Sequence, residues 1–246
     1  MKISPEFISA EQITQLRNQA FRQEFDFQPD EISRGIDEYN ELLPTFKGRG
    51  FRGLLENRLS STYRPIRVLD IGSGACIALG EMVRNYSAKI AAYGISSRDY
   101  IDRMPDWQLY TSQVNLTIGD AQKLKDYFEP GSFDLVVGVF AFDYLVDPLG
   151  TLEQAYYLLD IEGVVLTHNL LLPLTGVEEQ TFSKYLEQNG VTPEFRYRRK
   201  RKVADERLKC DVAWQRNTGQ DLDLPFVYLP PEEDEWQLNY RLVIAS

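Results

Sequence analysis

The sequence predicts a doubly wound α/β fold around a mostly parallel sheet. From Arg67 onward, short apolar runs typical of buried strands alternate with segments of helical periodicity. The first run, residues 66–71, ends directly in a glycine turn. Strands that alternate with helices favour parallel pairing through right-handed crossovers. We therefore predict a sheet of about seven strands, with a helical region before it and antiparallel strands at its end.

The elements of this fold follow one another in a regular order. Apolar runs predict five parallel strands, at residues 66–71, 90–95, 114–118, 133–140 and 163–167. A helix after the first strand carries apolar residues at helical spacing, and a short helix is predicted around residues 100–104. Asp147 and Pro148 predict the N-cap and first turn of a helix before the fifth strand. A further helix is predicted to end at Gly190, and the alternation over residues 208–214 and the apolar run 238–245 predict antiparallel strands.

Residues 1–64 are predicted to form a helical cap, and residues 65–246 the ligand-binding core with a C-terminal elaboration. Ser9 and Gln12 form a capping-box pattern at the start of the first helix. A second helix is predicted from about residue 30, with Ile36, Tyr39 and Leu43 along one stripe. These helices either pack against the main domain or cover a substrate pocket, and one helix can do both.

Composition narrows the class of protein. The net charge of −10 disfavours general binding to nucleic-acid phosphates. Cys76 and Cys210 provide neither a disulfide framework nor a metal-ligand pattern, which fits a reducing compartment. The start of the chain does not resemble a secretory signal, and no apolar run is long enough to span a membrane. We therefore expect a cytoplasmic protein with no membrane partner.

The glycine turn after the first strand is the clearest local signal for a ligand. Gly72 and Gly74 let the backbone turn sharply and approach a ligand that a Cβ would exclude. Ligands of open parallel sheets bind beyond the carboxyl ends of the strands. The dinucleotide fingerprint requires a glycine where this chain has Ile77, and no lysine of a phosphate-binding loop follows the turn. These departures argue against a dinucleotide or a nucleoside triphosphate.

Residues 68–76, VLDIGSGAC, resemble motif I of the class I S-adenosylmethionine-dependent methyltransferases, which have a Rossmann-like fold. The resemblance continues in register through the segments YGISS, IGDAQKL, FDLVVGVFAFDYLVDP and LLDIEGVVLTHNL. It extends over residues 67–170. The resemblance implies methyl transfer from S-adenosylmethionine.

The resemblance also implies roles for individual residues. Asp70 would help to hold the methionine ammonium, and the amino-acid part of the cofactor would lie against Gly72, Ser73 and Gly74. Asp120 would accept a hydrogen bond from the adenine amino group. The remaining implied cofactor contacts are the Ala121 N–H beside the adenine, Ser96 beside the ribose and the Phe140 carbonyl facing the ammonium. From the residues alone, Asp70 is equally a residue of a strand-end turn and Asp120 a helix N-cap.

Two positions depart from the family pattern. Cys76 stands where many members have a third glycine, and Ser96 stands where an acidic residue usually binds both ribose hydroxyls. A serine makes one hydrogen bond in place of a charge-assisted pair, which costs about 1–3 kcal/mol of cofactor affinity. A non-catalytic homologue that serves as an interaction protein therefore remains an alternative.

The methyl acceptor is predicted to be a small molecule with an oxygen or nitrogen nucleophile. His168, the single histidine of the chain, is a candidate general base at the end of the fifth strand, or a structural histidine bonded to backbone. Residues 141–144, AFDY, lack the prolines typical of enzymes that methylate planar nitrogens. No metal-ligand motif is present in the sequence, so we predict no metal.

A basic run at residues 196–202 offers another interpretation. Its clustered cations and Tyr197 could bind an acidic partner or RNA, which would make the protein an RNA methyltransferase. Alternatively, the run is a solvated edge whose charges discourage strand pairing.

Overall fold

The computed structural model describes residues 8–22, 34–98, 100, 112–172, 176–198, 209–230 and 238–244. The helices are α1 (Ala10–Arg22), α2 (Ile36–Leu42), α3 (Phe51–Ser61), α4 (Ile77–Tyr86), α5 (Pro148–Leu158) and α6 (Gly176–Gln188). Short 3-10 helices follow at Ser87–Lys89, Ala121–Asp126 and Ala141–Tyr144. The strands are β1 (Ile66–Ile71), β2 (Ile90–Ser96), β3 (Asn115–Ile118), β4 (Phe133–Gly138), β5 (Leu159–Leu171), β6 (Val191–Arg198), β7 (Lys209–Arg216), β8 (Phe226–Leu229) and β9 (Asn239–Leu242).

Seven strands form one sheet in the order β3-β2-β1-β4-β5-β7-β6. Strands β1 to β5 pair in parallel, and β7 runs antiparallel between β5 and β6. Strands β8 and β9 form a separate antiparallel pair. The predicted doubly wound, mostly parallel sheet with antiparallel C-terminal strands is confirmed. The chain moves outward from β1 to β3 and then returns to β4, so strand order reverses between β1 and β4.

Side chains from β1 are buried on both faces of the sheet. Leu69 and Ile71 join a core beneath α5 and α6, whereas Ile66 and Val68 join a second core beneath α2, α3 and α4. Because β1 and β4 are covered on both sides, they read as continuous apolar runs, which explains why these central strands were predictable, whereas the edge strand β3 is only partly buried. Helices α2 and α3 pack against one face, and α1 packs against the other through Ile13 and Leu16.

Hydrogen bonds at the helix ends confirm several local predictions. At the start of α1, the Ser9 N–H donates to Gln12 Oε1 at 2.8 Å and the Gln12 N–H donates to Ser9 Oγ at 3.2 Å. Asp147 caps α5 by accepting from the Gly150 N–H at 2.8 Å. Its other carboxylate oxygen binds Arg17, which fastens α1 to α5. Gly190 follows α6 with a φ of +77°.

Two strands were not predicted, one helix begins later than predicted, and one predicted helix is not tested. Strand β6 was missed because its sequence is polar and contains Pro193. It is an edge strand, where proline is tolerated. Strand β8 is only four residues long. Helix α2 begins at Ile36 in the described chain, and the helix predicted at 100–104 lies outside the described residues except for Tyr100. Among the described residues, no helix has the length and apolar character required to cross a membrane.

Replacing Glu162 by glycine is expected to stabilise the fold. Glu162 has a φ of +66°, and its side chain is 73% exposed. A left-handed backbone costs a non-glycine residue about 1 kcal/mol, so Glu162→Gly should raise the unfolding free energy by about 0.5–1 kcal/mol. Glu162→Ala, which removes the same charge but keeps the strain, should lack this gain. Thermal unfolding of both variants tests the prediction, and equal effects would contradict it.

Candidate functional site

The turn after β1 is built from left-handed residues at the point where strand order reverses. Gly72 has a φ of +73° and Gly74 a φ of +52°. The Gly72 and Ser73 N–H groups both donate to the Ile95 carbonyl, at 2.9 and 3.2 Å. A Cβ on Gly72 would lie 2.6 Å from the Cβ of Ala141. Glycine is therefore required at 72 by both its backbone angle and its neighbour.

Ser73 packs within the turn through its side chain. A Cβ on Gly94 of β2 would lie 2.5 Å from Ser73 Oγ, so the glycine in the segment YGISS makes room for this hydroxyl. Cys76 Sγ lies 3.4 Å from the same oxygen. Cys76 has a φ of +59°, a left-handed conformation that glycine adopts more readily than other residues do.

Asp70 is a buried carboxylate at the end of β1, with 1% of its surface exposed. The Tyr39 hydroxyl of α2 donates to Asp70 Oδ2 at 2.7 Å. Asp70 Oδ1 is buried and has no hydrogen-bond partner within the part of the chain that the structure describes. Burial raises the pKa of Asp70 to about 7, and the hydrogen bond from Tyr39 partly opposes this rise. The open oxygen suits a cationic or N–H donor on a ligand.

Asp120 follows β3 and has two separate environments for its carboxylate oxygens. Oδ1 accepts from the Gln122 N–H at 2.9 Å and caps the 3-10 helix that begins at Ala121. Oδ2 is buried without a hydrogen-bond partner among the described residues. The predicted N-cap is therefore confirmed, and it leaves one acceptor for a ligand. The neighbouring Ser96 is 4% exposed, and its carbonyl accepts from the Gly119 N–H at 2.9 Å.

Phe140 lies just beyond β4 with a φ of +59°. The Arg34 guanidinium lies 4.7 Å from the centre of its ring, and the His168 ring packs edge-on at 4.6 Å. The residue predicted to contribute a carbonyl to the cofactor site thus contacts the candidate base through its side chain.

His168 is fully buried at the end of β5. Its Nδ1 lies 3.0 Å from the Leu42 carbonyl and 3.1 Å from Asp211 Oδ1. Because both neighbours are acceptors, Nδ1 carries the proton, and Nε2 is the basic nitrogen of the neutral ring. The predicted backbone contact of His168 thus involves Nδ1. A catalytic role for Nε2 is compatible with this contact.

A β-bulge sets the direction of His168. Thr167 pairs with Val212 and Leu170 with Cys210, so His168 and Asn169 together oppose Asp211. Asn169 has a φ of +63°. Its backbone N–H donates to Asp211 Oδ1 at 3.0 Å, and its side-chain amide donates to Asp143 Oδ2 at 3.1 Å. Bulges of this kind are common beside active sites, where they redirect side chains.

Asp211 and Tyr39 were not predicted as site residues. Asp211 is fully buried in β7 and accepts from Arg196 Nε at 2.7 Å, while Arg196 also donates to the Leu42 carbonyl. In the sequence, Asp211 falls on the polar side of the alternation over residues 208–214, so no local signal marked it as buried. Arg196, the first residue of the basic run, is thus held in an ion pair, and residues 199–202 lie outside the described residues.

The site as a whole lies along the carboxyl edge of β1 to β5. It combines a glycine turn, two buried carboxylates that each keep an oxygen for a ligand, and a histidine oriented by a carboxylate. Such an edge can hold a nucleoside-like ligand and place a proton acceptor beyond it.

The chain is similar to a known protein family and to several solved structures. Residues 69–167 match the family described as methyltransferase domain. No curated protein sequence matches the chain. Among solved structures, the DszA carbon methyltransferase has a TM-score of 0.50 at 12% identity, covering 70% of this chain and 52% of that one. The cyclase SpnF has a TM-score of 0.47 at 12% identity, covering 67% and 80%. A SAM-dependent methyltransferase from Aquifex aeolicus has a TM-score of 0.42 at 17% identity, covering 77% and 98%. At these identities the structural matches describe the fold alone.

Proposed function

We propose that the chain methylates an oxygen or nitrogen of a small molecule, with S-adenosylmethionine as the methyl donor, because residues 69–167 match the family described as methyltransferase domain. One observation carries this proposal. Two buried carboxylates at the carboxyl edge of the sheet, Asp70 at the end of β1 and Asp120 after β3, each keep an oxygen without a partner among the described residues.

The residues present suit this cofactor. A buried carboxylate oxygen without a hydrogen bond is costly, so Asp70 and Asp120 favour a ligand that brings donors to both. S-adenosylmethionine has an ammonium group and an adenine amino group, which are donors of the required kind. Gly72 leaves space that a side chain would fill. Ser96 would contribute one hydrogen bond to the ribose, and the Phe140 carbonyl would face the ammonium.

The cofactor, when bound, supplies an electrophilic methyl group on its sulfonium. The protein orients the acceptor and removes its proton. His168 would accept this proton at Nε2, while the charge of Asp211, whose Oδ1 lies 3.1 Å from Nδ1, would stabilise the imidazolium. Asp211 would therefore act through His168, as a positioning residue.

Calorimetric titration with S-adenosylhomocysteine tests the proposal, and Asp120→Asn should weaken binding about tenfold. The asparagine can keep the cap because its oxygen must face the Gln122 N–H. Its amide nitrogen then takes the place of Asp120 Oδ2 and meets the adenine amino group as a second donor. The variant should therefore unfold at the same temperature as the wild type.

The matched control is Asp126→Asn, at the end of the same 3-10 helix, where cofactor affinity should not change. Wild-type protein that binds neither S-adenosylhomocysteine nor S-adenosylmethionine at millimolar concentration would overturn the proposal. That result would favour a non-catalytic interaction protein.

A further inference from the structure

Helix α2 contacts the cofactor site and the candidate base at the same time. The N–H of Ile36, its first residue, donates to Glu81 Oε2 of α4 at 2.6 Å. Tyr39, in its middle, reaches Asp70. The carbonyl of Leu42, its last residue, accepts from His168 Nδ1 at 3.0 Å. A single short helix is thus fixed to the turn after β1 and to the end of β5.

The contact between Tyr39 and Asp70 is fully enclosed. Tyr39 is 5% exposed and Asp70 is 1% exposed. Burial raises the pKa of Tyr39 well above its usual value, and the charge of Asp70 raises it further. The hydroxyl therefore stays protonated and acts as the hydrogen-bond donor. This fixes Asp70 Oδ2 as the acceptor for Tyr39. The oxygen that remains for a ligand is Oδ1.

We propose that Tyr39 is a positioning residue for the cofactor: its hydroxyl holds one oxygen of Asp70, favours the ionised form of the carboxyl group and leaves the other oxygen for the ammonium group. This inference rests on the proposed function. The inference extends the proposed function because a residue of α2 then affects the affinity of the site for a cationic ligand.

The chemistry predicts proton release on binding. The other charged or titratable groups that act on this pair, within the described residues, are Arg34 from the segment before α2 and Cys76 from the turn. With its pKa near 7, Asp70 is largely protonated at pH 6 before the ligand arrives. A bound ammonium favours the carboxylate, so the carboxyl proton passes to solvent. Affinity should therefore rise with pH up to about 7 and then level off.

The test is calorimetric titration of wild type and Tyr39→Phe with S-adenosylhomocysteine between about pH 5.5 and 8.5. Loss of the hydroxyl should raise the pKa of Asp70 by about one unit. Tyr39→Phe should then bind about tenfold more weakly at pH 6 and about fivefold more weakly at pH 7, and the two curves should converge near pH 8.5. Tyr156→Phe is the control, because the Tyr156 hydroxyl is bonded to the Gly190 carbonyl, away from this site.

Two measurements keep the inference open to refutation if Tyr39→Phe folds poorly. Wild-type titrations at pH 6, in buffers of different ionisation enthalpy, should show release of about one proton, which Asp70→Asn abolishes. Carboxyl carbon NMR of the ligand-free protein should show Asp70 titrating near pH 7. Equal binding by wild type and Tyr39→Phe, or a loss independent of pH, would overturn the inference. Absence of wild-type binding at every pH would instead overturn the proposed function.

Discussion

Replacing Asp211 by asparagine is expected to lower the free energy of unfolding by about 3 kcal/mol. Asp211 is fully buried and accepts hydrogen bonds from Arg196 and the Asn169 N–H, with His168 Nδ1 at 3.1 Å. Asparagine can serve the Asn169 N–H, but its amide nitrogen then faces the guanidinium. The loss falls at the lower end for a broken buried ion pair because the Arg196 side chain is 41% exposed and keeps some contact with water.

Asp37→Asn is the matched control for this prediction. Asp37 pairs with Arg52 at 2.6 Å, but its side chain is 81% exposed. An exposed pair of this kind contributes about 0–1 kcal/mol, so the control should unfold almost as the wild type does. Denaturant titration of both variants measures the difference, provided that the slope with denaturant is unchanged. A loss for Asp211→Asn no larger than for Asp37→Asn would show that the buried cluster is not a stabilising feature.

Gly72→Ala should weaken the binding of S-adenosylhomocysteine at least about a hundredfold. The added Cβ would lie 2.6 Å from the Cβ of Ala141, so the turn after β1 has to move relative to the end of β4. The left-handed φ of +73° adds about 1 kcal/mol of backbone strain. Because the cofactor is proposed to lie against this turn, the displacement should act directly on affinity.

Gly131→Ala separates the two effects of that substitution. Gly131 has a φ of +66°, and an added Cβ would meet no atom within 4 Å. It lies in the turn before β4, at the opposite end of that strand from Ala141. Both variants should lose about 1 kcal/mol of stability through the backbone, but only Gly72→Ala should lose affinity. Similar affinities for the two would argue against the turn as the cofactor site.

The sequence was sufficient where a pattern is local. The central parallel strands are apolar runs, the glycine turn follows β1 directly, and Asp147 and Asp120 each cap a helix that begins at the next residue. Each of these features depends on residues within a few positions of one another. The same proximity made the capping box at Ser9 and the helix end at Gly190 predictable.

The missed residues depend on contacts between distant parts of the chain. Tyr39 and Asp70 are 31 positions apart, and Asn169 and Asp211 are 42 positions apart. No periodicity links such pairs, and they meet only after the sheet order is known. The bulge at 168–169 could not be predicted from the sequence either, because a bulge is defined by the pairing of two strands, here β5 and β7.

The basic run illustrates a different limit of the sequence pattern. In the sequence, residues 196–202 form one block of charge, whereas successive side chains of a strand point to opposite faces. In the structure, Arg196 pairs in register with Asp211 and forms an ion pair with it. Arg196 is therefore engaged by the buried Asp211. A role in binding RNA or an acidic partner would depend on the remaining cations of the run.

The order in which the chain is synthesised gives the insertion of β7 a consequence for folding in the cell. Leu42 emerges from the ribosome early, yet its carbonyl is bound by Arg196, 154 positions later, and by a histidine whose carboxylate partner follows later still. The nascent parallel strands can pair among themselves, but His168 meets its carboxylate neighbour only after β7 has been synthesised. Formation of this buried cluster is thus a late, long-range step, of the kind that makes folding slow and exposes incomplete chains to chaperones and proteases.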